Sequence, residues 1–434
     1  MERYRAKRSL ELGVEMTTNT DSPENVCVVG LGYIGLPTAA FIASKGIPVT
    51  GIDVNTAYVD VINQGKVPFV EPGFGSLLKS VVEKGLLKAT SDQVEASAYI
   101  ICVPTPFVED HQVDTKYILG AASALAPYLR YGALVVLEST SPPGTTELLA
   151  NKLIELRPDL SLEEGVENAI YVAHCPETVL PGKIMEEMEN NDRVIGGLNE
   201  TATNKAVGLY RTFVTANIIK TDARTAEMAK LTENAFRDVN IAFANELSII
   251  CDDLDIDAWE LIDIANHHPR VDILNPGPGV GGHCIAVDPW FIVSSSPENA
   301  KLIRQAREIN DAKPEYVIDK IAKKLSNVSS PKIAALGLSF KKDIDDLRES
   351  PALKIVDQLA TILPKADIQT VEPNIEKLPE QLSLRENVTL TSLESALSNA
   401  DLVVLLVDHK EFRDFDGIAL NPDKVLDTRG IWFR

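Results

Sequence analysis

Cys284 is a candidate for nucleophilic chemistry in this sequence. It follows the glycine-dense stretch 275–282, stands beside His283, and has Asp288 four residues farther on. A bare glycine backbone can approach a ligand closely and present N–H donors, and a cysteine beside a histidine is typical of covalent catalysis. The alternative is a small buried apolar residue, which is the common fate of an unpaired cysteine. From spacing alone both interpretations stay open.

Three other groups of polar residues are candidates for a site. Lys230 and Asn234 are four residues apart, so they share a helix face, although a solvated polar stripe explains them equally well. Glu177 follows a strand, where the ligands of a parallel sheet gather, but a surface carboxylate is the plain alternative. The charged run 340–350 also follows a strand, at a place suited to a ligand phosphate or to a solvated loop.

A glycine motif near the start of the chain predicts a dinucleotide site. Gly30, Gly32 and Gly35 follow an apolar strand and precede an alanine-rich helix, so they allow a tight turn, close approach of a pyrophosphate, and helix–strand packing. The helix N-terminus adds N–H donors and a positive dipole. Asp53 ends the second strand, where its carboxylate can bind ribose hydroxyls and repel a 2′-phosphate. The motif therefore predicts NAD rather than NADP, with a purely structural glycine turn as the alternative.

The elements that must position these residues alternate between strand and helix. The predicted strands are Val26–Gly30, Val49–Ile52, Tyr99–Val103, Leu134–Leu137, Ile170–Ala173, Ile333–Leu338, Ile368–Val371 and Leu402–Val407. Such alternation predicts parallel sheets covered by helices. Residues 209–268 contain no glycine or proline and are predicted to be mostly helix, with an apolar stripe suited to dimerisation. The expected fold is therefore α/β, with two Rossmann-like doubly wound domains joined by a long central helical region.

Four segments follow from this reading. Residues 1–24 carry a small basic cluster with no apolar stretch after it, which predicts a flexible tail rather than a secretory signal. Residues 25–215 are expected to form the NAD-binding domain, and residues 216–328 a helical connector that carries the cysteine loop. Residues 329–434 are expected to form the second Rossmann-like domain.

The composition of the chain limits the kinds of partner that it can bind. The chain has 434 residues and a formal net charge of −21, and such an acidic surface repels nucleic-acid phosphates and anionic lipids. The longest unbroken apolar run, Leu402–Val407, is far shorter than the roughly 18 residues that span a bilayer. Five cysteines without a CxxC pair predict a reducing cytoplasm. His267 and His268 lack a matching ligand set, so no metal is predicted.

Taken together, the motifs resemble one family from about Asn25 to the C-terminus. They are GLGYIGLPTA (30–39), VPTPF (103–107), EST (138–140), CPE (175–177), EMAKLTENAFRDVNIAFANE (227–246), GPGVGGHCIAVDPWF (277–291) and FKKDIDDLRES (340–350). The family is that of the nucleotide-sugar 6-dehydrogenases, of the UDP-glucose/UDP-mannose type, which oxidise a sugar C6 alcohol to a carboxylate in two NAD-dependent steps. The sequence around Cys284 resembles the branch that acts on UDP-N-acetyl-D-mannosamine for surface polysaccharides.

The resemblance implies a role for each matched residue. Cys284 would be the nucleophile, forming a thiohemiacetal and then a thioester; Lys230 and Asn234 would stabilise the oxyanion; and Glu177 and Asp288 would manage the proton of the hydrolytic water. The implied cofactor residues are Gly30, Gly32, Tyr33, Ile34, Gly35, Asp53, Thr105, Thr140, Thr146 and Arg348. The implied substrate residues are Thr178, Val179, Lys230, Asn234, Arg237, His268, Arg270, Gly281, Phe340, Lys341 and Arg429.

One position departs from the family. Thr178 stands where close relatives often have an arginine that touches the substrate, so this chain lacks a cation there. UDP-N-acetylglucosamine and UDP-glucose are the alternative substrates, and a non-catalytic nucleotide sensor is the alternative of another class. A sensor needs none of Cys284, Lys230, Asn234 and Glu177, which are all among the predicted catalytic residues. We expect a cytoplasmic homodimer in which scattered cations form one local positive site, namely Lys230, Arg237, Arg270, Lys341 and Arg429.

Overall fold

The computed structural model describes residues 23–106, 113–180, 182–282, 284–415 and 420–432. Most of the predicted tail, together with Phe107 and His283, lies outside the described residues. Apart from Val113, which belongs with the second, the described residues form one compact unit up to Lys230 and another from Leu231 onward. Within these ranges, no helix is long and apolar enough to cross a membrane.

Eight strands of the first unit form one sheet with the order β3-β2-β1-β4-β5-β6-β7-β8. They are β1 (Val26–Val29), β2 (Val49–Ile52), β3 (Leu87–Thr90), β4 (Ala98–Ile101), β5 (Leu134–Leu137), β6 (Tyr171–His174), β7 (Arg193–Gly197) and β8 (Ile218–Asp222). All neighbours are parallel except β6 and β7, which are antiparallel. The strand order reverses between β1 and β4, which is where a doubly wound sheet binds its ligand.

Helices cover both faces of this sheet. They are α1 (Gly35–Ser44), α2 (Thr56–Asn63), α3 (Phe74–Glu83), α4 (Lys116–Leu125), α5 (Thr145–Leu156), α6 (Ile184–Asn190) and α7 (Glu200–Tyr210). Strands β1, β4 and β5 are buried at every position, so their side chains divide between two apolar clusters, one on each face. Strands buried on both faces read as continuous apolar runs, which is why the sequence pattern located them.

A long helix, α8 (Ala223–Leu254), follows the last strand of the first sheet. Its 32 residues contain neither glycine nor proline, as the sequence predicted. The prediction of mostly helix over residues 209–268 needs one correction, because β8 lies inside that span. Its register with β7 runs from Ile218 opposite Arg193 to Asp222 opposite Gly197, so sheet pairing overrides the absence of helix breakers. Asp222 then accepts hydrogen bonds from the N–H and hydroxyl of Thr225 and begins the helix.

The second unit contains a smaller parallel sheet with the order β11-β10-β9-β12-β13. Its strands are β9 (Lys332–Leu336), β10 (Asp367–Val371), β11 (Val388–Leu390), β12 (Leu402–Leu405) and β13 (Val425–Asp427). The helices after α8 are α9 (Ala258–Asn266), α10 (Asp288–Ser295), α11 (Lys301–Lys324), α12 (Pro351–Ile362), α13 (Glu380–Ser383), α14 (Leu393–Leu397) and α15 (Lys410–Arg413). The two sheets and the long helix between them confirm the predicted fold class.

The first turn of each sheet is built alike. Gly30 and Gly337 follow the first strands with φ of 93° and 96°, and each donates its N–H to the last residue of the second strand at 2.8 Å. The carboxylate just after that second strand, Asp53 or Glu372, then accepts the N–H of the residue after the glycine. Glu372 is also paired with His409 at 2.9 Å, with both side chains fully buried. In the second sheet the carboxylate of Glu372 is therefore covered by other protein groups, whereas in the first sheet Asp53 is partly exposed.

Candidate active site

The glycine turn after β1 has the shape that a bound pyrophosphate requires. A Cβ on Gly30 would lie 2.4 Å from the carbonyl oxygen of Cys102, and one on Gly35 would lie 1.9 Å from that of Gly30. Neither position can carry a side chain. A Cβ on Gly32 would meet nothing within 4 Å, so the backbone there borders open space. The residues thus fit a dinucleotide whose phosphates approach the start of α1.

Asp53 is held rigidly at the end of β2. One carboxylate oxygen accepts the N–H of Leu31 and the other accepts the N–H of Asn55, both at 2.8 Å. Asn55 in turn caps α2 by accepting the N–H groups of Ala57 and Tyr58. An anchored carboxylate beside the glycine turn fits the recognition of ribose hydroxyls.

The other predicted cofactor residues of the first unit belong to its hydrogen-bond framework. Ile34 is the N-cap residue of α1, and Tyr33 bonds to Glu71 through its hydroxyl. Thr105 donates to the carbonyl of Thr140 at 2.7 Å, which joins the loops after β4 and β5. Thr146 is fully buried, and its N–H and hydroxyl both donate to Glu227 of α8.

Glu177 lies in a compact turn after β6. One of its oxygens accepts the N–H groups of Thr178 and Val179 at 2.6 and 2.8 Å. The other accepts from Arg193 at 2.5 Å, and the Glu177 side chain is only 5% exposed. Glu177 therefore fixes the backbone of both predicted substrate residues that follow it. The surface-carboxylate interpretation is wrong, because this side chain is packed and fully bonded.

Cys284 is exposed, so its interpretation as a buried apolar residue is wrong. Its carbonyl accepts the N–H of Val287 at 3.1 Å and that of Asp288 at 2.8 Å, which places the cysteine one turn before α10. The other cysteines are buried or half-buried. Burial raises the pKa of the Cys27 thiol to about 12, which suppresses its thiolate. Among the described cysteines, Cys284 alone combines exposure with a glycine-rich loop.

Asn234 and Asp288 form a buried pair. The amide nitrogen of Asn234 donates to the carboxylate of Asp288 at 2.6 Å, and both residues are buried. Asp288 opens α10, where the positive end of the helix dipole favours a carboxylate. Because Asn234 is buried and paired, the solvated-stripe interpretation is wrong for it. Lys230 lies one turn before Asn234 on α8 and is half-buried. An amide held by a carboxylate is a preorganised donor.

Three predicted substrate residues of the second unit, Gly281, Phe340 and Arg429, lie in or against the glycine-rich stretch 275–282. A Cβ on Gly281 would lie 2.3 Å from the carbonyl oxygen of Glu349 and 2.9 Å from Cβ of Phe340, so these backbones touch. A Cβ on Gly277 would lie 2.4 Å from the guanidinium of Arg429. The glycine-rich stretch therefore packs against both Phe340 and Arg429. Arg429 also pairs with Asp408 at 3.0 Å, which fixes its direction.

The remaining predicted residues of the second unit are at its surface. Arg237, His268, Arg270 and Lys341 are exposed. The N–H of Arg270 donates to the ring of His268 at 3.3 Å. Arg348 is exposed and its guanidinium chelates Asp346, with distances of 2.6 to 3.1 Å. Convergence of the five predicted cations therefore stays a prediction.

Sequence reasoning missed several buried charged residues around these sites. Arg193 and Glu138 are buried beside Glu177, and Arg307 is buried against Asp238 with one guanidinium nitrogen 3.3 Å from the carbonyl of Ile285. Glu138 directly follows the apolar strand β5, which is a weak signal, whereas Arg193 and Arg307 stand beside Asp192 and Glu308 and look like ordinary surface charges in the sequence. The buried partners of Arg193 and Arg307, Glu177 and Asp238, lie 16 and 69 residues away, so no local pattern reveals these two pairs. The described residues hold no group of three or more potential metal ligands.

Comparison with known proteins agrees with this geometry. The chain matches the UDP-glucose/GDP-mannose dehydrogenase family over residues 24–214 for its NAD binding domain, 224–312 for its central domain and 334–434 for its UDP binding domain. A UDP-N-acetyl-D-mannosamine dehydrogenase from Campylobacter jejuni is 56% identical over 404 residues, covering 92% of this chain and 98% of the relative.

Two further relatives differ in their names. An NDP-N-acetyl-D-galactosaminuronic acid dehydrogenase from Ralstonia nicotianae is 55% identical, covering 94% of this chain and 96% of the relative. The solved structure of a UDP-D-ManNAc dehydrogenase from Pyrococcus horikoshii has a TM-score of 0.82 and 40% identity, covering 94% of this chain and 96% of that one. The family resemblance and the NAD cofactor are confirmed: the chain belongs to the UDP-glucose/GDP-mannose dehydrogenase family and is an NAD-dependent UDP-sugar dehydrogenase.

Proposed function

We propose that the chain oxidises UDP-N-acetyl-D-mannosamine at C6, through the aldehyde, to UDP-N-acetyl-D-mannosaminuronate. The observation that carries this proposal is the exposed Cys284, one turn before the buried Asp288–Asn234 pair. The names of the Campylobacter jejuni and Pyrococcus horikoshii relatives support the choice of sugar. A non-catalytic sensor needs neither an exposed thiol nor a buried donor pair beside it.

The side chains of this protein supply the covalent part of the reaction. The glycine turn and Asp53 would hold NAD, which would supply the hydride acceptor for both oxidations of the sugar carbon. The Cys284 thiolate adds to the carbonyl carbon of the aldehyde and forms a thiohemiacetal, which becomes a thioester when its carbon is oxidised. Lys230 and Asn234 stabilise the negative oxygen of the adduct. Water then attacks the thioester, and Glu177 and Asp288 act in the transfer of the proton that the water loses. The products are the acid and the free thiol of Cys284.

The binding roles follow the matched positions. We assign the cofactor to the glycine turn, Asp53 and the predicted threonines, together with Arg348, and the UDP-sugar to Thr178, Val179 and the predicted residues of the second unit. Domains are proposed at residues 25–215, 216–328 and 329–434, after a tail at 1–24. The packing of Phe340 and Arg429 against the glycine-rich stretch supports a substrate site there.

Two further proposals concern the setting of the enzyme. We propose a homodimer formed through α8, whose exposed apolar side chains recur along one stripe at Phe236, Phe243, Ile250 and Leu254. An exposed stripe of this size on a long helix is typical of a helix–helix interface. We also propose that the protein acts in the cytoplasm and supplies the uronate of a surface polysaccharide, as the resemblance implies.

A second substrate has specific support. The name of the Ralstonia nicotianae relative points to an N-acetyl-D-galactosaminuronic acid product in an enzyme 55% identical to this chain. UDP-N-acetylgalactosamine differs from UDP-N-acetylmannosamine in the configuration of two ring carbons. The C6 chemistry described above serves both sugars, so the difference lies in how the ring is held.

A panel of sugars tests the substrate. Purified protein with NAD is mixed separately with the UDP derivatives of N-acetylmannosamine, N-acetylgalactosamine, N-acetylglucosamine and glucose, and kcat/KM is measured from NADH absorbance. We expect kcat/KM for the N-acetylmannosamine derivative to exceed that for the others by at least about 100-fold. A site that matches one hydroxyl pattern leaves buried polar groups without hydrogen-bond partners when it binds another. A higher kcat/KM with any other sugar would contradict the assignment.

A further inference from the structure

A buried cluster of three charged side chains lies behind the turn that holds Glu177. One guanidinium nitrogen of Arg193 is 2.5 Å from a carboxylate oxygen of Glu177 and 3.7 Å from one of Glu138. The side chains of Arg193 and Glu138 are fully buried. A single positive charge thus faces two carboxylates in a region that excludes water. Glu177 belongs to the proposed reaction, whereas Glu138 has no role in it.

The remaining contacts of Glu138 are weak. The thiol of Cys102 and the hydroxyl of Thr38 approach the same carboxylate oxygen at 2.9 and 3.2 Å. The other oxygen, which faces Arg193, is buried without a hydrogen-bond partner. Two more ionisable groups face the cluster, the thiol of Cys175 and the phenol of Tyr210. Neither bears a positive charge, so Arg193 is the cation among these neighbours.

Physical chemistry limits how often both carboxylates can be charged. Burial, and then the negative charge of Glu177, raise the pKa of Glu138 to about 7, while Arg193 acts in the opposite direction. Desolvation opposes a second buried anion unless a cation fully compensates it. Glu138 therefore stays neutral to a higher pH than an ordinary glutamate does, and it ionises as the pH rises further. When Glu138 is neutral, the guanidinium of Arg193 is ion-paired with Glu177 and with no second carboxylate of this cluster. When Glu138 is charged, both carboxylates attract the guanidinium.

We propose that Glu138 is a positioning residue that sets the strength of Glu177 as a proton acceptor by competing with it for Arg193. This inference rests on the proposed role of Glu177 in thioester hydrolysis. When Glu138 is neutral, Arg193 holds the Glu177 carboxylate strongly, so the carboxylate takes a proton from water less readily. When Glu138 ionises, it repels Glu177 and draws part of the guanidinium charge, so Glu177 becomes the stronger base.

The rate of acid release measures this effect. The second half-reaction is followed at saturating NAD between pH 6 and 8.5, by rapid quench with detection of the uronate. In the wild type we expect a rise of about three-fold with a midpoint near neutral pH, because a stronger general base takes the proton of the attacking water faster. A flat wild-type profile would overturn the inference and requires no variant.

Variants separate this effect from loss of structure. Glu138→Gln keeps the shape of the side chain without its charge, so we expect it to hold the lower rate at every pH and to leave KM for NAD unchanged. Glu138→Asp keeps the charge and should retain the pH step. Glu147→Gln makes the same change at a residue whose side chain is 39% exposed and ion-paired with Arg224, and it should behave as the wild type. A Glu138→Gln profile that superimposes on the wild type would overturn the proposal.

A spectroscopic measurement makes the two proposals distinguishable. Infrared difference spectra of the wild type between pH 6 and 8 should show loss of a protonated carboxyl band that Glu138→Gln lacks. Absence of that band in the wild type overturns the inference alone, whatever Glu177 does. Glu177→Gln tests the proposed function: if it releases the uronate at the wild-type rate, the role of Glu177 fails even when the band is present.

Discussion

Cys284→Ser is expected to slow the release of the uronate by on the order of 10⁴-fold or more, as the loss of a covalent nucleophile does elsewhere. The first oxidation does not need the thiol, so NADH should still form, at about one molecule per sugar converted. A serine hydroxyl is a far weaker nucleophile than a thiolate near neutral pH. The aldehyde should therefore accumulate, and rapid quench with an aldehyde-reactive hydrazine measures it directly.

The matched control for this variant is Cys251→Ser. It makes the same atomic replacement at a buried cysteine of α8, where the thiol serves only packing. Cys251→Ser should keep the rate of the wild type and lose only a little thermal stability. If Cys284→Ser converted the sugar fully to the uronate at a rate near that of the wild type, Cys284 would have no covalent role.

Lys230→Met is expected to lower kcat by about 10² to 10³-fold, the usual cost of removing one donor that stabilises a developing oxyanion. Lys230 is half-buried on α8, and methionine replaces its carbon chain with an unbranched side chain of similar length. Because the charge matters most in the transition state, KM for the sugar should change far less than kcat. Steady-state kinetics with circular dichroism measure both effects.

Lys220→Met is the control for charge. Lys220 is an exposed residue of β8 whose ammonium group donates to Asn204, away from the glycine turn. We expect no change in kcat beyond about two-fold, since an isolated surface contact of this kind contributes little. Equal kcat in Lys230→Met and the wild type would remove Lys230 from the reaction.

Much of the fold could be read from local pattern. The predicted strands Val49–Ile52 and Leu134–Leu137 match β2 and β5 to the residue, because apolar runs between turn signals are typical of buried parallel strands. The glycine turn after β1 follows from the spacing of Gly30, Gly32 and Gly35 between a strand and a helix. Strand β8 was missed, since pairing with β7 decides its structure and that partner is not local. Partly buried strands such as β3 lack the apolar run altogether.

The candidate site shows the same limit. Asn234 and Asp288 were each identified from motifs, yet their hydrogen bond joins residues 54 positions apart and no pattern announces it. Glu177 was expected to be a proton acceptor, but its bonds to Arg193 and to two backbone N–H groups became visible only in the fold. The types of the residues thus indicate which reaction they could catalyse. The hydrogen bonds formed in the tertiary structure decide which of these side chains are held in a fixed position.

The overall acidity of the chain is compatible with an anionic substrate because only local charge matters at a site. Within the second unit, Arg429 lies against Gly277 of the glycine-rich stretch, although it is also ion-paired with Asp408. The net charge of −21 does repel large polyanions. A small diphosphate needs only a few cations and backbone N–H groups.

The ratio of NADH formed to sugar consumed tests the central claim most directly. Limiting UDP-N-acetyl-D-mannosamine is converted to completion with excess NAD, and NADH absorbance is compared with the uronate measured by mass spectrometry. A two-step oxidation through Cys284 predicts about two NADH for each sugar, with the uronate as the sole product. One NADH per sugar with a released aldehyde, or no NADH at all, would contradict the account.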